Sequence, residues 1–149
     1  MRSVMEQRVS FITLAVQDLA ASHQFYAQGL GWTPEFYDPV EVLMFRAGPQ
    51  TVLALWDRAH FEAEIGASAQ SGPGVVPITL SHNVHTRDEV DGVIVDARAA
   101  GASVVSDPVE REWGGYTGYF GDPDGFRWEI AWNPGPVGQL VLPPVSDTT

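Results

Sequence analysis

The chain has 149 residues, 44% of them hydrophobic, and this length supports one domain with a real core or two small modules that share one. It contains no cysteine and all eight of its basic residues are arginine, which excludes disulfides, thiolate nucleophiles, zinc–thiolate sites and lysine Schiff bases. The net charge of −11 argues against a nucleic-acid or anionic-membrane surface, because either partner requires a basic patch.

The two ends of the chain differ from its middle in composition. Residues 1–8 are polar and irregular, which predicts a loose N-terminal arm, and residues 134–149 carry four prolines, which predicts a flexible tail. No run approaches the roughly 18 apolar residues of a membrane span, and the start of the chain lacks the layout of a signal peptide. We therefore expect a cytoplasmic protein with no membrane or nucleic-acid partner.

A first module is predicted over about residues 9–65. The β-branched run from Val9 to Val16 is typical of a strand, and Asp18 stands at the N-cap position of a helix that extends to about Gln28. Asp57 would cap a short helix through Ile65. Three more strands are predicted, at residues 32–37, 41–47 and 51–56.

A second module is predicted over about residues 75–133, after a linker of small residues at 66–74. Its first strand extends from Val75 to Ser81. Thr86 and Glu89 have the spacing of a capping box, which predicts a helix that stops near Gly101. Its remaining strands are predicted at residues 102–106, 116–120 and 126–132.

The sequence Asp122-Pro123-Asp124-Gly125 predicts the turn of a hairpin, because proline presets φ and glycine accepts a positive φ. In the strand that follows, Trp128 and Ile130 alternate with Arg127 and Glu129. The two pairs therefore lie on opposite faces, and one carboxylate points away from an apolar face.

The two modules share an order of elements and part of their sequence. Ile12-Thr13-Leu14 recurs as Ile78-Thr79-Leu80, an offset of 66, and Leu55-Trp56-Asp57 aligns with Ala131-Trp132-Asn133. This agreement predicts an α+β fold made of tandem βαβββ modules.

Several short motifs follow one another along the chain. They are Thr13-Leu14-Ala15-Val16-Gln17-Asp18-Leu19, Phe25-Tyr26, Leu30-Gly31-Trp32, Ala99-Ala100-Gly101-Ala102, Gly118-Tyr119-Phe120, and the turn at residues 122–125 followed by Glu129. With these motifs, residues 9–133 resemble the vicinal oxygen chelate superfamily, which contains glyoxalase I, extradiol dioxygenases, fosfomycin-resistance transferases and bleomycin-resistance proteins. The resemblance implies a cupped sheet around a ligand cavity, formed within one chain or across a dimer.

In metal-dependent members of that superfamily, four strand positions carry His or Glu, because a divalent ion prefers N and O ligands and needs open positions for substrate. The repeat maps these positions to Phe11, about Leu53, Pro77 and Glu129. Glu129 alone has a donor side chain, and one carboxylate does not hold a divalent ion tightly. No cofactor is therefore predicted, and a divalent metal at Glu129 is the alternative.

A nearby histidine could replace a lost ligand. His82 lies five residues beyond Pro77, so a regular strand would turn it to the opposite face and only a bulge would bring it inward. His82 and His85 would then donate hydrogen bonds to a ligand, or they form a surface cluster.

Glu129 is the candidate catalytic residue, as a general base or as an anchor for a ligand. Its alternative role is an inherited carboxylate paired with an arginine or with Thr13, Thr79 or Ser81. Trp113 and Tyr116 flank two glycines, which indicates either a lip over the cavity or a tight bend. The predicted ligand-binding residues are Phe11, Thr13, Leu53, Pro77, Thr79, Ser81, His82, Trp113, Tyr116 and Glu129.

The missing metal ligands favour metal-independent binding of a small organic molecule, as in the bleomycin-resistance branch. The alternative is a glyoxalase-type lyase or isomerase, or a dioxygenase, that uses Glu129. Short chains of the superfamily usually form dimers, so the resemblance implies a homodimer. We expect this dimer in a bacterial cytoplasm.

Overall fold

The computed structural model describes residues 5–144, so the first four residues of the predicted arm and the last five of the predicted tail lie outside this range. No helix within residues 5–144 has the length and the apolar character that crossing a membrane requires. The elements in chain order are β1 (Phe11–Val16), α1 (Leu19–His23) with a π-helical continuation (Gln24–Gly29), β2 (Phe36–Asp38), β3 (Val42–Arg46), β4 (Val52–Asp57), α2 (Arg58–Ile65), β5 (Thr79–Asn83), α3 (Arg87–Ala99), β6 (Val104–Glu110), β7 (Tyr116–Gly121), β8 (Arg127–Trp132) and α4 (Pro136–Leu140).

Two four-stranded sheets have the same topology. In the first sheet β1 pairs in parallel with β4, and β3 and β2 follow in antiparallel order, which gives β1-β4-β3-β2. The second sheet repeats this arrangement as β5-β8-β7-β6. One compact unit ends at Gly72 and the next begins at Pro73. The predicted α+β fold of tandem βαβββ modules is confirmed.

The helix that follows β1 differs from the prediction. Asp18 caps it as expected, since its carboxylate accepts a hydrogen bond from the Ala21 amide (3.2 Å). The α-helix ends at His23, however, and the chain continues as a π-helix. The wider turn brings two adjacent aromatic residues into the core, where Phe25 and Tyr26 are both buried. Regular α-helical spacing predicts only one of them in the core.

In the second unit, α3 packs closely against the sheet. The Thr86 hydroxyl caps this helix by accepting a hydrogen bond from the Glu89 amide (3.1 Å). A Cβ atom added at Gly118 of β7 would lie 3.0 Å from the buried Ile94 side chain of α3. Glycine at this position therefore permits the close approach of helix and strand.

The turn between β7 and β8 is built on a buried aspartate. Asp122 is fully buried, and its Oδ1 accepts hydrogen bonds from the backbone amides of Asp124 (3.0 Å) and Phe126 (2.9 Å). Gly125 has a φ of +86°, and its amide donates to the Asp122 carbonyl (2.9 Å). The predicted hairpin is confirmed, and this turn sets the register of β7 against β8.

The predicted flexible tail contains a helix. Pro136 begins α4. Proline is favoured at this position because an amide hydrogen in the first helical turn has no acceptor within the helix, and proline has none. Beyond this helix, the Pro143 carbonyl oxygen lies 3.1 Å from Nε2 of His85. Part of the predicted tail is therefore helical, and Pro143 contacts His85 of the same unit.

We predict that Asp122→Ala lowers the free energy of unfolding by about 2–3 kcal/mol, because it leaves two amides of the turn without their acceptor. Asp122→Asn retains an acceptor oxygen and should lose less than about 1 kcal/mol. Chemical denaturation of the three proteins measures the difference.

Asp107→Ala is the matched control, because Asp107 forms an exposed ion pair with Arg98 that is worth at most about 1 kcal/mol. Equal losses in Asp122→Ala and Asp107→Ala would contradict the assignment of the turn to Asp122.

Candidate functional site

Glu129 lies in a row of polar side chains across the second sheet. The strand register places Ser81, Glu129, Tyr119 and Ser106 side by side on four adjacent strands. The Ser81 hydroxyl donates to Oε1 of Glu129 (3.2 Å), and the Tyr119 hydroxyl donates to Oε2 (2.6 Å). Each carboxylate oxygen therefore accepts a hydrogen bond from a neighbouring strand. Ser81 is one of the partners that the sequence predicts for Glu129, and this contact is observed.

Tyr119 is the residue of this row with a shifted pKa. Its hydrogen bond to the Glu129 carboxylate raises the pKa of the phenol, because that bond requires the proton. Partial burial and the negative charge of Glu129 raise it further, whereas the positive charge of Arg111 opposes the shift. Tyr119 therefore acts as a hydrogen-bond donor to Glu129.

Arg111 reaches the same row from the end of β6. Its Nε donates to Oγ1 of the buried Thr117 (2.7 Å). Its guanidinium carbon lies 5.9 Å from the centroid of the Tyr119 ring, within the range of a cation–π contact. Tyr119 thus contacts a cation through its ring and an anion through its hydroxyl.

The donor set around Glu129 does not suit a tightly bound divalent ion. Its two neighbours are hydroxyls, and such ions select carboxylate, imidazole, thiolate or carbonyl ligands. Throughout residues 5–144, no three His, Asp or Glu side chains come close enough together to hold a metal ion. The metal-binding set of the resemblance is therefore not present in this part of the chain.

The corresponding row of the first unit is apolar except for Thr13. Thr13 and Ser81 each lie five residues before the N-cap of the next helix, and Thr13 pairs with Ala54 where Ser81 pairs with Glu129. The row continues across the sheet from Ala54 to Met44 and Phe36. The row thus contains a carboxylate in the second unit and no charged residue in the first.

This apolar face contains a cavity of about 330 Å³. The volume is at the lower end of the range for small-molecule sites. Phe11 and Thr13, both predicted from the sequence to bind a ligand, line it. The other wall residues include Met44, Ala54 and Trp56, with Glu41 as the one carboxylate among them.

The alignment of the repeat is wrong by one residue at Leu53. Leu53 pairs with Ile12 and is buried in the core of the first unit. Because successive side chains in a strand point to opposite faces, its neighbour Ala54 is the counterpart of Glu129. The cavity is accordingly lined by Ala54 and not by Leu53.

A second correction concerns Pro77, which lies before β5 because that strand begins at Thr79. Proline has no amide to donate to the strand ladder. Phe11 and Thr79 each lie seven residues before the N-cap of the next helix, so the counterpart of Phe11 is Thr79. Thr79 and Ser81 lie on the Glu129 face of the sheet, as the alternation of β5 predicts.

Tyr116 contacts α3 and lies on the face opposite Glu129, contrary to the sequence interpretation. It pairs with Trp132 of β8. Its hydroxyl donates to Oδ1 of Asp91 (2.6 Å), and the Arg87 guanidinium carbon lies 5.3 Å from its ring centroid. These contacts attach the start of β7 to the helix.

His82 pairs with Ile130, so a regular strand turns it away from the Glu129 face, as the count from Pro77 predicts. Desolvation lowers the pKa of His82, and the Glu89 carboxylate of α3 opposes this shift. His82 therefore lies on the helix side of the sheet, and a ligand contact on the Glu129 face is not its role.

Trp113 lies in the tight bend between β6 and β7. The residue is 56% exposed, and its ring covers Gly115, where an added Cβ would lie 2.0 Å from the indole. This packing matches the alternative of a tight bend. The contact between Trp113 and a ligand stays a prediction.

Tyr119 and Ser106 of this row, and Arg111 beside it, are not among the site residues predicted from the sequence. Tyr119 could be found by counting outward from the Asp122 turn, because the antiparallel register then places it opposite Glu129. The placement of Arg111 depends on an irregularity after Ser106 in β6, for which the sequence has no comparable signal.

Residues 8–130 match the model of the Glyoxalase/Bleomycin resistance protein/Dioxygenase superfamily. The chain belongs to this superfamily. The resemblance seen in the sequence is thereby confirmed, and the tandem modules described above are those of the superfamily fold. No curated protein matches the chain significantly.

Solved structures of superfamily proteins are similar to this chain over most of its length. A glyoxalase-related enzyme from Fulvimarina pelagi is 38% identical, with a TM-score of 0.78 over 87% of this chain and 90% of that one. A hypothetical protein from S. aureus is 31% identical, with a TM-score of 0.71 over 87% and 95%. A superfamily protein from Nocardioides is 27% identical, with a TM-score of 0.74 over 89% and 91%.

We predict that Glu129→Gln lowers the pKa of Tyr119, because it removes the negative charge that favours the protonated phenol. Alkaline titration of tyrosinate absorbance, with Tyr119→Phe to identify the contribution of this residue, measures the change.

Asp91→Asn is the matched control, since the Asp91 carboxylate raises the pKa of Tyr116 in the same way. It should lower the pKa of Tyr116 and leave Tyr119 unchanged. An unchanged Tyr119 titration in Glu129→Gln would show that the hydrogen bond is absent in solution.

Proposed function

We propose that this superfamily member binds a small organic molecule without a metal ion. The observation that carries the proposal is the environment of Glu129, the one carboxylate at the four implied metal positions as corrected to Phe11, Ala54, Thr79 and Glu129. Its two oxygens accept hydrogen bonds from Ser81 and Tyr119. A carboxylate held in this way is arranged to receive hydrogen-bond donors, whereas a metal site needs further anionic or imidazole ligands.

The cavity of the first unit supports the same proposal. Aromatic and aliphatic walls such as Phe11, Met44 and Trp56 favour an apolar body, and Thr13 offers a hydroxyl for orientation. Few polar groups in an apolar wall are typical of small-molecule sites. Sequestration of the ligand is then the activity, as in the bleomycin-resistance branch of the superfamily.

The competing function is that of a metal-dependent lyase, isomerase or dioxygenase that uses Glu129. The name of the Fulvimarina pelagi protein, a glyoxalase-related enzyme at 38% identity, favours it. Metal content distinguishes the two functions.

We predict that purified protein incubated with Fe²⁺, Mn²⁺, Ni²⁺ or Zn²⁺ and then desalted retains less than a stoichiometric amount of metal, because one carboxylate does not hold such ions tightly. Elemental analysis measures the content. A stoichiometric ion that is lost in Glu129→Gln would overturn metal-free binding.

Ligand binding in the cavity is tested by a thermal-shift screen of small organic molecules. Thr13→Phe should abolish the shifts caused by true ligands, because the added ring fills part of the cavity. Ala59→Phe adds the same ring to an exposed position of α2 and should retain them. Ligands whose shifts survive Thr13→Phe would place binding elsewhere.

We also propose that the protein is a cytoplasmic homodimer. Phe11 and Phe36, each 54% exposed on the apolar face of the first sheet, are large apolar side chains that a partner subunit could cover. Light scattering coupled to gel filtration measures the mass, and a monomer at all accessible concentrations would contradict the proposal.

A further inference from the structure

Arg111 is held in place at both its backbone and its side chain. Its amide donates to the Gly115 carbonyl (2.8 Å), and its carbonyl accepts from the Gly114 amide (2.9 Å), which closes the bend between β6 and β7. Its Nε donates to the fully buried Thr117 (2.7 Å). The guanidinium is thus largely immobilised. The Arg111 side chain therefore loses little further entropy when a ligand binds to it.

The positive charge of Arg111 is not neutralised within the described part of the chain. Arg8, Arg58, Arg87 and Arg98 each lie within 4.0 Å of a carboxylate oxygen, whereas Arg46, Arg111 and Arg127 form no such ion pair in residues 5–144. Arg46 is exposed to solvent, and Arg127 donates to the Gly125 carbonyl through a terminal nitrogen (3.1 Å), so Arg111 differs from both. A half-buried arginine without an anionic partner is suited to receive one from outside.

The contacts of Arg111 also determine which of its edges is available. Nε is bound to Thr117 and the ring of Tyr119 lies near the guanidinium carbon, while the two terminal nitrogens form no hydrogen bond within residues 5–144 and are left for an external partner. Two parallel N–H groups in one plane match the two oxygens of a carboxylate, or two oxygens of a phosphate. This geometry favours a bidentate contact.

We propose that Arg111 binds an oxyanion, a carboxylate or phosphate group, of the molecule that this protein recognises. The proposal rests on the function proposed above and adds the chemical class of the ligand. The Glu129 carboxylate would repel the same group, so the anionic end of the ligand lies on the Arg111 side of Tyr119. Neutral donor groups of the ligand then lie toward Glu129.

Three probes that share one ring test the proposal: benzoate, phenyl phosphate and the neutral benzamide. Each is titrated into isotopically labelled full-length protein, and the backbone amide resonances of Thr117 and Tyr119 are followed by NMR. We expect saturable shifts with benzoate, with phenyl phosphate or with both, and none with benzamide. The anion that binds more tightly shows whether the site prefers a carboxylate or a phosphate group.

Arg111→Gln should weaken binding of the anionic probe at least about tenfold, because it removes a charged pair of hydrogen bonds. Arg111→Lys keeps the charge but not the planar pair, so its affinity should be intermediate. Arg46→Gln is the matched control, because it removes an exposed arginine at the end of β3 in the other unit and should leave binding unchanged.

Absence of saturable shifts with both anions, equal shifts with benzamide, or full affinity in Arg111→Gln would each overturn the proposal. Thermal denaturation of each variant shows whether it is folded, and a folded Arg111→Lys keeps the test valid if Arg111→Gln does not fold. Stoichiometric metal in the elemental analysis would overturn the proposed function and leave the Arg111 measurement interpretable by itself.

Discussion

The alternation of side chains along β8 is the constraint on which both the core and the candidate site of the second unit depend. Ile130 is fully buried on the helix side, while Glu129 lies on the opposite face between Ser81 and Tyr119. A shift of one residue in register would bury the carboxylate and expose the isoleucine, and both changes are unfavourable. The buried Asp122 prevents this shift from the end of the hairpin, so the turn determines the geometry of a site that it does not touch.

The two units show which parts of the module are required for folding and which are free to vary. Both have the same strand order and a capped helix after the first strand, with Asp18 in one unit and Thr86 in the other. Their open faces differ, since Ala54 occupies the position of Glu129 and Met44 that of Tyr119. The helix side of each sheet therefore forms the core, and the other face carries the candidate site residues.

Much of the fold could be predicted because the signals are local. The caps at Asp18, Asp57 and Thr86 and the turn at Asp122 depend on residues close in sequence, and each occurs as expected. The counterpart of Glu129 is displaced by one residue because the sequence alignment matches Trp56 with Trp132. The helix caps align Thr13 with Ser81, and strand pairing then identifies Ala54 as the counterpart of Glu129.

The remaining differences arise from contacts that no local pattern encodes. The π-helical turn depends on the packing of Phe25 and Tyr26 together in the core, and β5 is shortened by Pro77. The partners of Glu129 come from two other strands, and the position of Arg111 depends on an irregular β6. A sequence shows which residues can do chemistry, whereas strand pairing decides which of them meet.

The presence of the cavity walls and the Glu129 row on different sheets has a consequence for how each of them can be altered. The apolar walls around Ala54 and the charged row around Glu129 belong to different sheets, with different hydrophobic cores beneath them. The walls of the cavity are formed by residues of the first unit, and the hydrogen bonds of Glu129 are formed by residues of the second. The shape of the cavity and the charge of the Glu129 row are therefore encoded by separate sets of residues, so a substitution in one set removes no member of the other.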